Sequence, residues 1–414
     1  MGDGSRRASG PLSVLFLSTM FLGYAVYAID RTVLSAMIVP MSSSLRLDNT
    51  QLGFLVAAQY IGVLAVVYFA GILSDKYGRL KIIVAGLAVF TAFTWLIGLS
   101  NNFAEAFIFR FASGVGEGVF WPVAMASVAS YFGARKGFAL GVFYVGFDAG
   151  SATGPALAGL VFSLTSEWQY TFLVAPLIGL VPIAMALLQR NSVGAIEGAV
   201  DRLSIGRDAL RLIRQRNVAL VMSFAFVATW ASVWQVTFLP LYFNKVLGYG
   251  IVYAAYLTSI VPISGAVGKL ALGRLSDTHD RRRMLVLISG LVVLAYLAFF
   301  GSTGIYFVIL AAVVMSFFSS AVFPIMQALM ADSCGGRIGT ALGLNTTSQS
   351  VATVLSPLIA ASLFRFGVGK ALAVGAMIPA VLMIVVALLL KEPRMEASVE
   401  TRKEEAAATG LKAG

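Results

Sequence analysis

Five ionisable side chains stand inside long apolar stretches of this sequence. An acid and a base are adjacent in "YAIDRTVL" (Asp30 and Arg31), a base and an acid are seven residues apart (Arg110 and Glu117), and a third acid is Asp148. A charge at the centre of a bilayer costs at least about 2.5–3.5 kcal/mol on insertion scales. Because the three carboxylates outnumber the two guanidinium groups and burial disfavours unpaired charge, we expect one acid to hold a proton in some states. These residue types therefore predict a site that binds protons and anions.

The composition indicates a membrane protein that crosses the bilayer many times. The 414 residues are 59% hydrophobic and only 12% charged, and the mean hydropathy is +0.88, whereas a soluble domain carries about 25% charged residues. A single cysteine, Cys334, excludes an internal disulfide, and a single histidine, His279, excludes a site built from several histidines. No phosphate-binding loop or Ser/His/Asp arrangement is apparent, so we expect no enzymatic activity, no cofactor and no bound metal.

Twelve segments are long and apolar enough to cross a membrane, which takes about 20 residues. Helices are expected throughout, because lipid cannot satisfy the hydrogen bonds of the backbone. The fold class is therefore an all-α membrane protein. The predicted spans, numbered 1 to 12, are roughly 12–40, 50–74, 80–100, 104–131, 136–164, 167–189, 217–244, 250–273, 284–302, 304–331, 338–365 and 368–391.

The basic residues predict the orientation of the spans. Most of the 30 Lys and Arg residues lie in the tails and in the loops that follow even-numbered spans, and basic loops are the cytoplasmic ones. Both termini are therefore expected in the cytoplasm, with the protein in the plasma (inner) membrane. The net charge of +11 follows mainly from this topology, so no nucleic-acid partner is expected.

The chain contains two copies of one six-span unit. Landmarks of spans 2, 4 and 5 recur 202 positions later in spans 8, 10 and 11: Gly71 and Gly273, Asp75 and Asp277, Arg79 and Arg281, Pro122 and Pro324, and Pro155 and Pro357. Because six crossings are an even number, the two copies keep one orientation, which is the parallel type of transporter repeat. We predict an N-terminal six-helix bundle over 1–189, a cytoplasmic linker over 190–216, a C-terminal six-helix bundle over 217–391 and a flexible cytoplasmic tail over 392–414.

Residues present in only one copy are the better candidates for function, because shared residues are expected to be scaffold. In the second copy, the positions that correspond to the five charged residues are all uncharged. They are Ser232, Val233, Ala312, Ser319 and Ser350. The charges are thus concentrated in the N-terminal half. A buried ion-pair network that only fixes helix packing is the alternative explanation.

The segment "GILSDKYGRLK" and its second copy "GRLSDTHDR" predict a gating element. An acid and an arginine at a helix end can join neighbouring helices through charge-assisted hydrogen bonds, and Asp75 is expected near Arg79. An ordinary basic loop is the alternative. The residues assigned to this element are Gly71, Asp75, Gly78, Arg79, Asp277 and Arg281.

Helix geometry assigns directions to the charged residues. At 1.5 Å per residue, Asp30 and Arg110 both lie between the middle of their spans and the extracellular side. They can therefore meet across spans 1 and 4. Adjacent residues are about 100° apart around a helix, so Arg31 points elsewhere. It shares a face with Tyr24 and Tyr27, and a cation beside phenol hydroxyls suits an anion.

Other side chains are candidates for substrate hydrogen bonds, with helix packing as the alternative. They are Trp121, Gln235, Asn345 and Gln349. Lys269 near the cytoplasmic end of span 8 is expected to extend its amine to the interface and receives no role. Glycines four residues apart in span 5 predict a groove for a neighbouring helix.

Together these features resemble the major facilitator superfamily: twelve spans, the six-plus-six repeat, the loop "GILSDKYGRLK" and a glycine-rich fifth span. Within it, "IDRTVLSAMIVPM" in span 1 and "RFASGVGEGVFWP" in span 4 resemble the anion:cation symporter family of organic-anion and sugar-acid transporters. The resemblance implies proton-linked roles for Asp30 and Glu117. It also implies that Arg31 binds the substrate carboxylate and that Arg110 pairs with the acids.

Two further positions follow from the same resemblance. A Tyr or Gln of span 2 often lines the cavity in that family, which points to Gln59 or Tyr60. At Asp148 many relatives have an uncharged polar residue, so which acid couples to protons stays open.

We therefore expect a monomeric, proton-coupled symporter of a small organic anion, a carboxylate or sugar acid, that works in the lipid bilayer by alternating access. Protonation of Glu117, and of Asp30 or Asp148, is expected to release salt bridges to Arg110. The alternative is a spinster-like exporter of lipids or amphiphiles, because that group also has "DR" in span 1. A membrane sensor without transport is disfavoured, since the longest cytoplasmic segments are only 190–216 and 392–414.

Overall fold

The computed structural model describes residues 11–132, 135–189, 211–276, 278–302, 304–333 and 338–391, and these ranges contain helices and no strand. Every predicted span corresponds to a long helix, which confirms the all-α class. The helices are α1 (Pro11–Ser44), α2 (Asn49–Tyr77), α3 (Arg79–Ile97), α4 (Phe103–Phe132), α5 (Lys136–Thr165), α6 (Trp168–Leu188), α7 (Arg216–Lys245), α8 (Ile251–Leu275), α9 (Arg281–Gly301), α10 (Ile305–Ser333), α11 (Ile338–Leu363) and α12 (Val368–Leu389).

Ten of these helices are long and apolar enough to cross a membrane by composition alone, and α4 and α5 are the two outside that set. Helix α4 carries Arg110 and Glu117, and α5 carries Asp148 among many glycines. Both helices carry buried charge, and their glycines make close backbone contacts with neighbouring helices.

Helix α6 is interrupted beside the charged residues. Its first and last parts are α-helical, and Ala175–Gly179 between them forms a 3₁₀ turn with a proline at its start. Proline has no backbone N–H to donate, and a 3₁₀ turn is the tighter form that short helical interruptions adopt. Ala175 and Pro176 thereby line a small internal cavity together with Asp30, Thr91 and Thr94.

Glycines bring the helices of the N-terminal bundle into backbone contact. A side chain at Gly150 of α5 would overlap the carbonyl oxygen of Ala25 in α1, and one at Gly114 of α4 would overlap that of Gln59 in α2. By contrast, a Cβ atom added at Gly141 of α5 would meet no atom of the described residues within 4 Å. The groove predicted for span 5 is thus present, and α1 occupies it through small-residue packing.

The repeated loops make equivalent contacts in the two halves. Arg79 Nη1 donates to Ser130 Oγ at 2.8 Å, and Arg281 forms an ion pair with Asp332. These pairs are related by the 202-residue offset, and each joins the start of one helix to the end of another. The Asp75 side chain and all of Asp277 lie outside the described residues, so the contact expected between Asp75 and Arg79 stays a prediction. Gly78 has φ of +91°, which explains the glycine there, because other residues avoid that region.

Small residues bring the two bundles into close contact at one end. A side chain at Gly53 of α2 would overlap Ala361 of α11, and a Cβ at Gly159 of α5 would lie 3.2 Å from Cβ of Ala255 in α8. One apolar cluster continues across both bundles at this end. The second apolar cluster of the described residues, which includes Phe16, belongs to the other end of the N-terminal bundle alone. The space between the bundles is therefore closed at the end that carries the α1–α2 loop.

Candidate functional site

Two ion pairs join α1 to α4 inside the N-terminal bundle. Arg110 Nη1 lies 3.0 Å from Asp30 Oδ1, and both side chains are 2% exposed. Arg31 Nη2 lies 3.1 Å from Glu117 Oε2, and its Nε donates to the same oxygen at 3.1 Å. The Glu117 side chain is 0% exposed and that of Arg31 is 17% exposed. The second pair thus combines a buried acid with a base that solvent can reach.

Gln59 of α2 connects the two pairs. Its Nε2 donates to Asp30 Oδ2 at 2.8 Å and to Glu117 Oε1 at 2.6 Å. An amide nitrogen between two carboxylates can satisfy both, whereas its carbonyl oxygen would repel them. The two acids and Gln59 consequently belong to one hydrogen-bonded network. The expectation that Gln59 or Tyr60 lines the substrate cavity stays a prediction.

Asp30 accepts hydrogen bonds from four side chains. Besides Arg110 and Gln59, Thr94 Oγ1 donates at 2.6 Å and Ser113 Oγ donates at 2.9 Å. Hydrogen bonds to the charged form stabilise a carboxylate, and this set surrounds both oxygens. The geometry therefore holds the buried Asp30 carboxyl group in place through both of its oxygens.

The structure corrects the expected pairing of Arg110 with the other acids. The predicted contact between Asp30 and Arg110 is present, but the salt bridge of Glu117 goes to Arg31. The reason is direction, because adjacent residues of α1 diverge by about 100°. Asp30 turns toward the bundle interior and Arg31 toward the carboxyl of Glu117.

Aromatic rings support the Arg31 guanidinium on the predicted face. Its Cζ lies 4.3 Å from the ring centre of Tyr27 and 5.0 Å from that of Tyr60. The Tyr27 ring in turn lies 5.2 Å from that of Tyr24, which stacks on Phe143 at 4.4 Å. Cation–π contacts of this kind hold a guanidinium without occupying its N–H groups.

A third ion pair connects the two bundles, and the sequence reasoning missed one of its members. Lys269 Nζ of α8 lies 2.6 Å from Asp148 Oδ1 of α5, with side chains 29% and 11% exposed. Lys269 was expected to reach the interface, but it turns inward to Asp148, for which the described residues provide no arginine partner. The excess of acid over base is thereby removed, because three acids face three bases. An unpaired acid at Asp148 was the signal that could have identified Lys269.

Among the residues that the structure describes, the remaining candidates make no hydrogen bond to these ion pairs. Gln235 Oε1 accepts from Ser319 Oγ at 3.1 Å and lines an internal cavity of the C-terminal bundle. Among the described residues, three buried polar atoms of this set have no hydrogen-bond partner, which are Trp121 Nε1, Asn345 Oδ1 and Gln349 Nε2. Their part in substrate binding stays a prediction.

Two helical bundles of one repeat, with buried ion pairs in one bundle and an ion pair between the two, are typical of a class of protein, the secondary transporters. The family model of the Major Facilitator Superfamily matches residues 20–300 and 254–413. The chain belongs to the Major Facilitator Superfamily, so it is a multi-pass membrane transporter.

Relatives and a solved structure agree with this assignment. A probable sulfoacetate transporter of Cupriavidus necator is 26% identical over 373 residues, covering 83% of this chain and 86% of the relative. A 3-(3-hydroxyphenyl)propionate transporter of Escherichia coli is 26% identical over 356 residues, covering 84% and 87%. The structure of a bacterial homologue of the human lysosomal transporter Spinster, in an inward-facing conformation, superposes with a TM-score of 0.72 at 18% identity, covering 92% of this chain and 96% of the other.

Proposed function

We propose that this transporter couples the uptake of a small organic anion, a carboxylate or sugar acid, to the movement of a proton. The observation that carries the proposal is the pair of Arg31 and Glu117, in which a partly exposed guanidinium is neutralised by a fully buried carboxylate. The relatives support it, because their names refer to transport of sulfoacetate and of a phenylpropionate.

Competition for Arg31 would link the anion to the proton. A substrate carboxylate at the guanidinium takes the place of Glu117 as its partner, and Glu117 keeps only the hydrogen bond from Gln59. A buried carboxylate without its cation is strongly disfavoured, so Glu117 binds a proton. Proton and anion thus favour each other's binding, and this coupling is reciprocal.

We assign the coupled proton to Glu117 and not to Asp30. The four donors around Asp30 remain in place when Arg31 changes partner, because none of them is Arg31. Asp30 would then keep Arg110 neutralised throughout the cycle. This assignment modifies the expectation that bridges to Arg110 are released.

Alternating access would present this site to the two sides of the membrane in turn. With both termini in the cytoplasm, as the basic loops predict, the closed end between Gly53 and Ala361 faces outward and the site is reached from inside. We propose a monomer in the plasma (inner) membrane. The likeness to the Spinster homologue concerns the fold, and an exporter would deplete cells of substrate where a symporter accumulates it.

The test is transport into proteoliposomes with an imposed pH gradient. Wild-type protein is expected to accumulate a carboxylate against its concentration gradient. Glu117→Gln is expected to lose accumulation but to keep exchange of labelled for unlabelled substrate, because a neutral side chain leaves Arg31 free for the anion. Arg31→Gln is the matched control and should lose both. Accumulation by Glu117→Gln would overturn the coupling role.

A further inference from the structure

The ion pair of Asp148 and Lys269 joins the two bundles, and Tyr24 lies near both Asp148 and Arg31. Lys269 is a base of the C-terminal bundle, and its partner Asp148 is an acid of the N-terminal bundle. Both members retain exposed surface, as Arg31 does. The pair is therefore placed where a substrate held by Arg31 could reach it.

The distance between the two charged groups follows from helix register. Helix α5 packs beside α1 with Gly146 against Phe21 and Gly150 against Ala25, so Asp148 lies at the level of residue 23. Arg31 is eight residues further along α1, which corresponds to about 12 Å. The rings of Tyr24 and Tyr27 lie along α1 between the level of Asp148 and that of Arg31.

The ion pair of Asp148 and Lys269 can bind a neutral group that both donates and accepts hydrogen bonds. Asp148 Oδ1 is engaged by Lys269, while Oδ2 can still accept and the ammonium group has further N–H donors. A hydroxyl group can donate to the carboxylate and accept from the ammonium group without breaking the pair. A second anion would instead compete with Asp148 for Lys269 and leave a buried carboxylate unpaired, which is costly.

We propose that Asp148 and Lys269 form a second substrate contact that selects monocarboxylates with a hydroxyl group at the far end of an apolar or aromatic body. The carboxylate binds Arg31, the body lies along Tyr27 and Tyr24, and the hydroxyl group reaches the ion pair. This inference rests on the proposed function, and it narrows the class of anion. It also gives a reason for the acid at position 148, where many members of the resembled family have an uncharged polar residue.

Binding of three matched compounds to purified protein tests the inference. They are 4-phenylbutyrate, 4-(4-hydroxyphenyl)butyrate and 4-(4-carboxyphenyl)butyrate, measured by isothermal titration calorimetry in detergent. The hydroxylated compound is expected to bind about tenfold more tightly than 4-phenylbutyrate, as for a hydrogen bond to a charged group. In the double variant Asp148→Asn/Lys269→Met, which removes both charges together, this ratio is expected to fall to about twofold or less.

The outcomes separate the two proposals. Unchanged affinity of the double variant for 4-phenylbutyrate would show that the variant is folded and that the lost preference belongs to the ion pair. A hydroxyl preference that persists in the double variant overturns the inference alone, and so does tightest binding of the dicarboxylate. A wild type that binds none of the three compounds overturns the narrowed class of anion alone, whereas an Arg31→Gln variant that binds 4-phenylbutyrate as the wild type does overturns the proposed function itself.

Discussion

Asp30 is the most completely hydrogen-bonded acid of the site, and its partner Arg110 is equally buried. Removing one member of a buried ion pair leaves the other charge uncompensated and typically costs about 3–5 kcal/mol. Asp30→Asn is therefore expected to lower the unfolding temperature of the purified protein markedly, as measured by differential scanning fluorimetry in detergent. The protein is destabilised because the buried guanidinium of Arg110 would then face a neutral amide instead of a carboxylate.

The double variant Asp30→Asn/Arg110→Gln provides the control for that prediction. It removes both charges, so part of the lost stability should return, as in any double-mutant cycle on a coupled pair. An Asp30→Asn protein that unfolds at the wild-type temperature would contradict the assignment of Asp30 as a structural anion.

Part of this site is predictable from single residues and part is not. The contact of Asp30 with Arg110 follows from their depths, and the Tyr27 face of Arg31 follows from helical spacing. The partner of Glu117 cannot be predicted in this way. Both Arg31 and Arg110 have side chains long enough to reach it, and packing determines which of the two forms the salt bridge. Lys269 was missed because a long flexible side chain can turn inward or outward from the same backbone position.

Helix α5 depends on the absence of side chains on the face that meets α1. A methyl group at Gly150 would overlap the Ala25 carbonyl oxygen, so Gly150→Ala must separate the two helices. Overpacking of this kind costs about 1–3 kcal/mol. The expected result is a lower unfolding temperature and weaker carboxylate binding, because α1 carries Arg31 and α5 carries Asp148.

Gly141→Ala in the same helix is the matched control. Its Cβ meets nothing within 4 Å, and removing a mid-helix glycine stabilises by about 0.5–1 kcal/mol. Thermal unfolding of the two variants side by side should give shifts of opposite sign. Equal shifts would mean that the close contact of α5 with α1 does not determine stability.

The architecture of each half is predictable, because hydropathy locates the spans and the 202-residue offset relates the copies. The relation between the halves is not encoded in that periodicity. Alternating access requires at least two arrangements of the same bundles, and one sequence pattern serves all of them. The closed end in this structure is defined by a few small residues, including Gly159 and Ala255, whose spacing alone gives no sign of a partner.

The closed end offers a test of whether the bundles must separate during transport. The Cβ positions of Gly159 and Ala255 lie 3.2 Å apart, a little shorter than the range of about 3.5–4.5 Å for disulfides, so a small separation of α5 and α8 admits the bond. In a Cys334→Ala background, which removes the only native cysteine, Gly159→Cys/Ala255→Cys is expected to form a disulfide between α5 and α8 on mild oxidation. Because the bond holds the bundles together at one end, transport into proteoliposomes should stop and should return after reduction with dithiothreitol.

Each single-cysteine variant is the control for oxidation itself and should transport equally before and after treatment. Bond formation is followed independently by loss of labelling with maleimide-polyethylene glycol, which reacts only with free thiols. If the oxidised double variant is fully blocked to labelling and still accumulates substrate, separation of α5 from α8 is not a step of the cycle. Loss of transport that dithiothreitol reverses would instead assign to these two helices a movement that every turnover requires, since a disulfide between bundles that never separate would leave the rate unchanged.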